Sequence, residues 1–224
     1  AVTISNAPTV AQLVLINAAT TGAITLSTAN GALTGSAANI VTAFAGTVTE
    51  HTGTVTVTNA ATVAQFNTIN AETTSNVVLS GGVTDTAAAY AATDGTTTAG
   101  LTAIAAQDGD VAITVSDAPT VAQLVTINAA TTGAITLNTL TIEANLSGAA
   151  AHLTSAFAGT VTEHTGTVTI TDAPTVAQLV SINAATTGAI TLSTADGALS
   201  GSAANLVLAF AGTVTTHTGT VTIT

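Results

Sequence analysis

Residues Thr171 to Leu192 read TDAPTVAQLVSINAATTGAITL, and this stretch decides the fold. Asp172 stands where a helix N-cap belongs, and Pro174 falls in the first turn, where its missing N–H costs nothing. Val176, Leu179 and Val180 follow at i, i+3 and i+4 with Ile182 flanking them, which makes one apolar helix face. The stripe ends at Asn183 and the Ala-Ala-Thr-Thr after it. Gly188 then opens a strand in which Ile190 and Leu192 share one side and Thr191 takes the other. Upstream, Val168 and Ile170 alternate with Thr169 and Thr171 in the same way. The stretch spells strand, helix, strand.

It recurs from Ser5, from Thr58 in weakened form, and from Ser116. Repeat 1 spans residues 2–54, repeat 2 spans 55–112, repeat 3 spans 113–167 and repeat 4 spans 168–220. Residues 221–224 open a further repeat or supply an end-to-end contact strand, so both ends read as cut within a longer pattern. Repeats 1 and 4 agree at 45 of 53 positions. Each repeat divides into halves of about 26 residues with the same logic. In the second half of repeat 4, Ser202 caps, Leu206 and Phe210 pack at i and i+4, and Gly212 stops the helix.

A unit this short cannot bury its apolar stripe alone, but stacking on neighbours can. The expected fold class is α/β: a repeat solenoid of stacked strand–helix–strand coils, about eight in all, with parallel sheets and right-handed crossovers. A pure parallel β-solenoid is the alternative. The arrangement carries a tension. Strands stack about 4.8 Å apart, whereas packed helices need about 8–10 Å, so a helix in every coil should curve or twist the stack. Alanines on the helix flanks, such as Ala173, Ala177, Ala184, Ala203 and Ala209, lessen the mismatch without removing it.

Composition narrows the function. The 224 residues include no Lys, Arg, Cys, Met or Trp, and eleven acids give a formal charge of −11. Without cations there is no surface to release counterions from phosphates, so nucleic acid is excluded as a partner, as are a P-loop, a Schiff-base lysine and an arginine clamp. Without Cys there is no disulfide or thiolate site. No run of 18 apolar residues occurs, so membrane insertion is not expected; nor does Ala1 begin a signal peptide.

Repeat 2 breaks the pattern after Leu79, where an Ala-rich helix is expected over Thr97–Gln107. This part holds Tyr90, the single Tyr, and the acids Asp85, Asp94, Asp108 and Asp110. Asp108-Gly109-Asp110 resembles a fragment of a calcium loop, with Gly81-Gly82 near Asp85 the next approach, but the full EF-hand and β-roll spacings are absent. Repeat 3 carries a smaller expansion over residues 138–152, with Glu143 and His152. His51, His164 and His217 share one place, two of them after Glu50 and Glu163; equivalent copies lie too far apart to share zinc, and a loop His at an exposed turn is expected. No G-x-S-x-G occurs and the acids are dispersed, so no catalytic residues are assigned and no enzyme is expected. The recurring Asn17, Asn70, Asn128 and Asn183, with Gln12, Gln65, Gln123 and Gln178, fit either an amide ladder between units or plain helix ends and polar faces. Asp172, Pro174, Gln178, Asn183 and Gly188 are the structural positions of the repeat, and no cofactor is expected beyond the weak calcium candidates.

The motifs VTITDAPTVAQL, INAATTGAITL, ALSGSAANL and HTGTVTIT resemble the tandem β-strand-repeat segments of giant cell-surface proteins of marine cyanobacteria. The resemblance covers all four repeats, least well Val77 to Ala112, and implies an extracellular or cell-surface structural role. The expected function is a structural repeat protein that forms a fibre, rod or surface layer. Its partners would be copies of itself or further repeats of a longer chain. Two alternatives stand beside it: an adhesin or binding module using repeat 2, and an ice-binding face made of the Thr rows.

Overall fold

The structure, a computed structural model, describes residues 1–138 and 142–224. It divides into two compact units, Ala1–Thr84 with Ala99–Ile113, and Asp85–Thr98 with Thr114–Thr224. In chain order the elements are β1 (Val2–Ile4), α1 (Val10–Ala18), β2 (Ile24–Leu26), β3 (Leu33–Gly35), α2 (Ala37–Ala43), β4 (Val55–Val57), α3 (Val63–Ala71), β5 (Val77–Val78), β6 (Val83–Asp85), α4 (Ala87–Tyr90) and α5 (Ala99–Gln107). They continue with β7 (Ile113–Val115), α6 (Val121–Ala130), β8 (Ile135–Leu137), β9 (Leu146–Gly148), α7 (Ala150–Ala156), β10 (Val168–Ile170), α8 (Val176–Ala185), β11 (Ile190–Leu192), β12 (Leu199–Gly201), α9 (Ala203–Ala209) and β13 (Val221–Ile223). The class is mixed α/β with short parallel sheets, and no sheet among the described residues closes into a barrel. Nine helices among those residues set the pure β alternative aside.

In the regular repeats the strands pair in parallel at an offset of 22 residues: Val2 with Ile24, Leu33 with Val55, Val55 with Val77, Leu146 with Val168, Val168 with Ile190, and Leu199 with Val221, whereas β6 and β7 across the irregular part lie 30 residues apart. A V-T-[IV] strand in the interior lies between an L-[TS]-G strand before it and an [IV]-rich strand after it, as in β3–β4–β5 and β9–β10–β11. Alternation places the β-branched residues inward: Val55, Val57, Val168 and Ile170 are fully buried. No named sheet among the described residues exceeds three strands, and single parallel bridges such as Ile24 with Val48, Ile135 with Val161 and Ile190 with Val214 extend the ladders by one rung.

The helices pack in sequence within each unit, α1 on α2, α2 on α3 and α3 on α5 in the first, and α4 on α6 through α7 and α8 to α9 in the second. Leu13, Ile69, Leu124, Ile127, Leu179 and Ile182 are fully buried between helix and strands. The expected helix at Thr97–Gln107 is present as α5. Tyr90, in α4, fills the core place that Ile40 takes in α2 and Leu153 in α7, and its hydroxyl donates to Thr114 O at 3.2 Å. Burial pushes its phenol well above the usual tyrosine range. Of the expansion over residues 138–152, positions 139–141 lie outside the described residues.

One expectation about the helix start is corrected. The N-cap of α8 is Thr175, three residues after Asp172, and Pro174 precedes the cap instead of sitting in the first turn. Thr175 Oγ1 accepts from Gln178 N at 3.2 Å while Gln178 Oε1 accepts from Thr175 N at 2.9 Å. The same reciprocal box forms at Thr9/Gln12, Thr62/Gln65 and Thr120/Gln123. Two orphan helix donors are satisfied at once by T-x-x-Q, which outweighs a lone Asp further upstream.

Candidate functional site

The repeated polar residues are spent on neighbouring helices. Asp172, freed from its own helix, accepts from Ala150 N of α7 through Oδ1 at 2.7 Å. Asn59 does the same for Ala37 N of α2 at 2.8 Å, and Asp117 for Ala87 N of α4 at 2.6 Å. These helices are short, and both Ala149 and Thr86 cap their own helices without a side-chain bond, so the acceptor arrives from beyond the next strand, 22 residues on for Ala150 and 30 for Ala87. The other helix end is served from the opposite direction. Asn183 Nδ2 donates to Leu208 O and Ala211 O, both at 2.8 Å, and Asn17 and Asn128 donate likewise to the last carbonyls of α2 and α7. Of the two readings left open for these amides, Asn17, Asn128 and Asn183 join neighbouring helices, although through backbone carbonyls and not to one another, and Asn70 is not among them. The Gln residues act locally in the capping boxes, and Gln123 also donates to Ala91 O at 2.8 Å.

The histidines correct a second expectation. His51 and His164 are not exposed loop residues: they are 2% and 0% exposed. Nε2 of each lies 2.7 Å from a carbonyl, Gly31 O and Ala144 O, so Nε2 carries the hydrogen, since a carbonyl only accepts. Each ring tilts against a phenylalanine seven residues earlier, with centroids 5.9 Å apart for Phe44/His51 and 5.8 Å for Phe157/His164. Burial holds the His164 imidazole below its ordinary pKa, against a smaller opposite effect of the bond to Ala144 O. The recurrence of Phe seven positions before His, also at Phe210/His217, was the available sign of a packed pair.

Of the two calcium candidates, Asp108 accepts from the backbone. In regular repeats the strand equivalent to β5 is met by a further strand segment: Ile24 N donates to Thr47 O, and Leu26 N donates to Thr49 Oγ1. Repeat 2 lacks that segment, and side chains stand in for it. Val77 N donates to Gln107 Oε1 at 3.1 Å and Leu79 N to Asp108 Oδ2 at 2.8 Å. Asp108 and Asp110 share a shallow cleft of about 400 Å3 with Val78 to Gly82. Burial raises the pKa of Asp108, partly opposed by the Leu79 bond. Among the described residues no three His, Cys, Asp or Glu side chains gather as a metal-binding group. Asp94 is occupied by its own turn: Oδ1 accepts from Thr96 N at 2.9 Å, and that bond lowers its pKa.

No protein-family model, curated protein or solved structure matches the chain. Gly188, the last of the expected structural positions, marks a close pass of backbones: a Cβ there would run into Gly166 O, and one on Gly166 would run into Glu143 O and Ala144 O. Across the described residues, the recurring side chains terminate helices, seal strand edges or fill the interior. No helix among them is long and apolar enough to cross a membrane.

Proposed function

We propose that this chain is a structural repeat protein, extracellular or at a cell surface, whose strand–helix coils stack as a solenoid and extend into a rod or fibre. The observation that carries the reading is the exchange of helix caps. Asn59, Asp117 and Asp172 serve the helix of the preceding coil, and Asn17, Asn128 and Asn183 serve the helix of the following one. Each coil is then completed by its neighbours, which is the energetic pattern of a one-dimensional repeat array. A chain without Lys or Arg also offers no site to trypsin-like proteases, which suits an exposed material. Catalysis forms no part of this reading, because the recurring polar groups are already committed to backbone partners. Negative-stain imaging of the purified chain tests it: elongated particles that join end to end are expected, and compact, monodisperse particles at every concentration would overturn it.

A further inference from the structure

Asn145 is the one Asn in the chain that is followed two places later by Ser or Thr, in Asn145-Leu146-Ser147. N-x-[ST] is the acceptor triplet of N-glycosylation, in which the side-chain amide takes the sugar and the hydroxyl two places on is read with it. The hydroxyl belongs to the repeat: Thr34, Thr84 and Ser200 stand where Ser147 stands, each after a buried Leu33, Val83 or Leu199. The Asn does not, because the equivalent positions hold Ala32, Gly82 and Ala198. Repeat 3 alone completes the triplet, within its expansion.

The fold presents this triplet outward. Strand alternation sets Asn145 and Ser147 on one side and Leu146 on the other. Leu146 is 2% exposed, whereas Asn145 and Ser147 are both exposed. The direction of the amide is fixed as well. Thr167 N donates to Asn145 Oδ1 at 3.3 Å, and since a backbone N–H only donates, the oxygen must be the atom that faces it. Nδ2 is turned away from that bond and has no partner among the described residues. A glycosylated amide keeps its carbonyl oxygen, so the bond from Thr167 N survives the modification. Across the sheet Ser147 is in register with Thr169, and Thr169 with Thr191, so the face beside the acceptor carries short hydroxyl side chains that leave room for a sugar.

We propose that Asn145 is an N-glycosylation site, which takes an oligosaccharide from a lipid-diphosphate carrier during export. Nδ2 attacks C1 of the first sugar. The Nδ2–C1 bond forms as the C1–O bond to the diphosphate breaks, the lipid diphosphate leaves with that electron pair, and one Nδ2 proton passes to a base of the transferase. The product is a bulky, hydrated group on the outer sheet face of repeat 3. In a chain that is only 5% charged, such a group supplies hydration that charged side chains supply elsewhere. The site rests on the extracellular reading above and adds the atom that is modified.

The test uses the full 224-residue chain, exported through a secretory route that N-glycosylates and recovered from the medium, with circular dichroism to verify folding of every form. Trypsin finds no site, so peptides are made with a protease that cuts after Glu, which releases a peptide starting at Ala144. In wild type this peptide should carry a glycan, and enzymatic removal in heavy-oxygen water should convert residue 145 to a labelled aspartate that mass spectrometry detects. Ser147→Ala keeps the bond from Thr167 N and should lose the glycan completely. Asn145→Gln should lose it too, and Ser147→Thr should keep it. A bare Asn145 in secreted, folded wild type overturns the site, as does a glycan that survives on this peptide in Ser147→Ala or Asn145→Gln. Negative-stain imaging of the same material separates the two readings. A glycosylated chain that stays compact and monodisperse counts against the structural role alone, and a chain that assembles with Asn145 bare counts against the site alone.

Discussion

Replacing Asp172 with Ala removes the side-chain acceptor at the N-terminus of α7. The helix runs just from Ala150 to Ala156, and its own N-cap, Ala149, makes no side-chain bond. Losing an N-cap acceptor costs about 1 kcal/mol, and losing a negative charge at the helix N-terminus adds about 0.3–1 kcal/mol. Asp172 is exposed, so water recovers part of the bond to Ala150 N, and the expected loss is about 1–1.5 kcal/mol. Asp172→Asn keeps an acceptor in the geometry that Asn59 already uses on Ala37 N, and should stay within about 0.5 kcal/mol of wild type. Urea unfolding followed by circular dichroism measures both, with the midpoint moving at constant slope. Hydrogen exchange at the amides of residues 150–153, nineteen or more positions before the substitution, should rise only in the Ala variant. If Asp172→Ala unfolds at the wild-type midpoint with unchanged exchange, the cap between neighbouring coils carries no stability and the reasoning fails.

Other consequences can be checked in the same way. Since burial lowers the His164 pKa, the unfolded chain takes up the proton at higher pH than the folded one. Stability should be full above the usual imidazole value and decline as pH falls below it; urea midpoints at about pH 8 and pH 5.5 measure this, and His164→Gln should flatten the decline. Asn183→Asp removes both donors to Leu208 O and Ala211 O and sets a negative charge against a helix C-terminus, for an expected loss of about 1–2 kcal/mol by denaturant titration. Gly188→Ala forces a methyl group onto Gly166 O and should cost about 2 kcal/mol or more, a larger loss than Asp172→Ala in the same titration. With a formal charge of −11 and no Lys or Arg, added salt screens mainly repulsion, so the melting temperature should rise between about 10 mM and 200 mM NaCl.

The periodic parts of the sequence were readable because they depend on local chemistry. Val168 and Ile170 alternate as a strand must, and Val176, Leu179 and Ile182 mark a helix face whatever lies beyond it. The helix start was misplaced because Asp172 and Pro174 look like a cap and first turn, while Thr175 and Gln178 form the box that decides the matter. T-x-x-Q was present to be read. The role of Asp172 could not be read locally, since its partner Ala150 lies 22 residues away and only the strand register brings them together. Likewise His164 sits between Glu163 and Thr165, a neighbourhood that suggests solvent, and is buried by Phe157 and by the carbonyl of Ala144. The bond that Asp108 accepts from Leu79 N could not be read locally either, since the two residues lie 29 positions apart.

Because caps pass between coils at fixed offsets, a repeat is defined by what it lends and borrows as much as by its own residues. Insert a regular repeat beside another and each Asn and Asp meets the partner it would have had elsewhere, so such an array can gain or lose units by recombination without new design. Repeat 2 is the place where that freedom stops. The Oδ1 atom of Asn70 is buried without a partner, and β5 is finished by Gln107 and Asp108, which no other repeat supplies. Lengthening should therefore be tolerated between regular repeats and resisted within residues 77–112, which makes repeat 2 the fixed point against which the length of the array is counted.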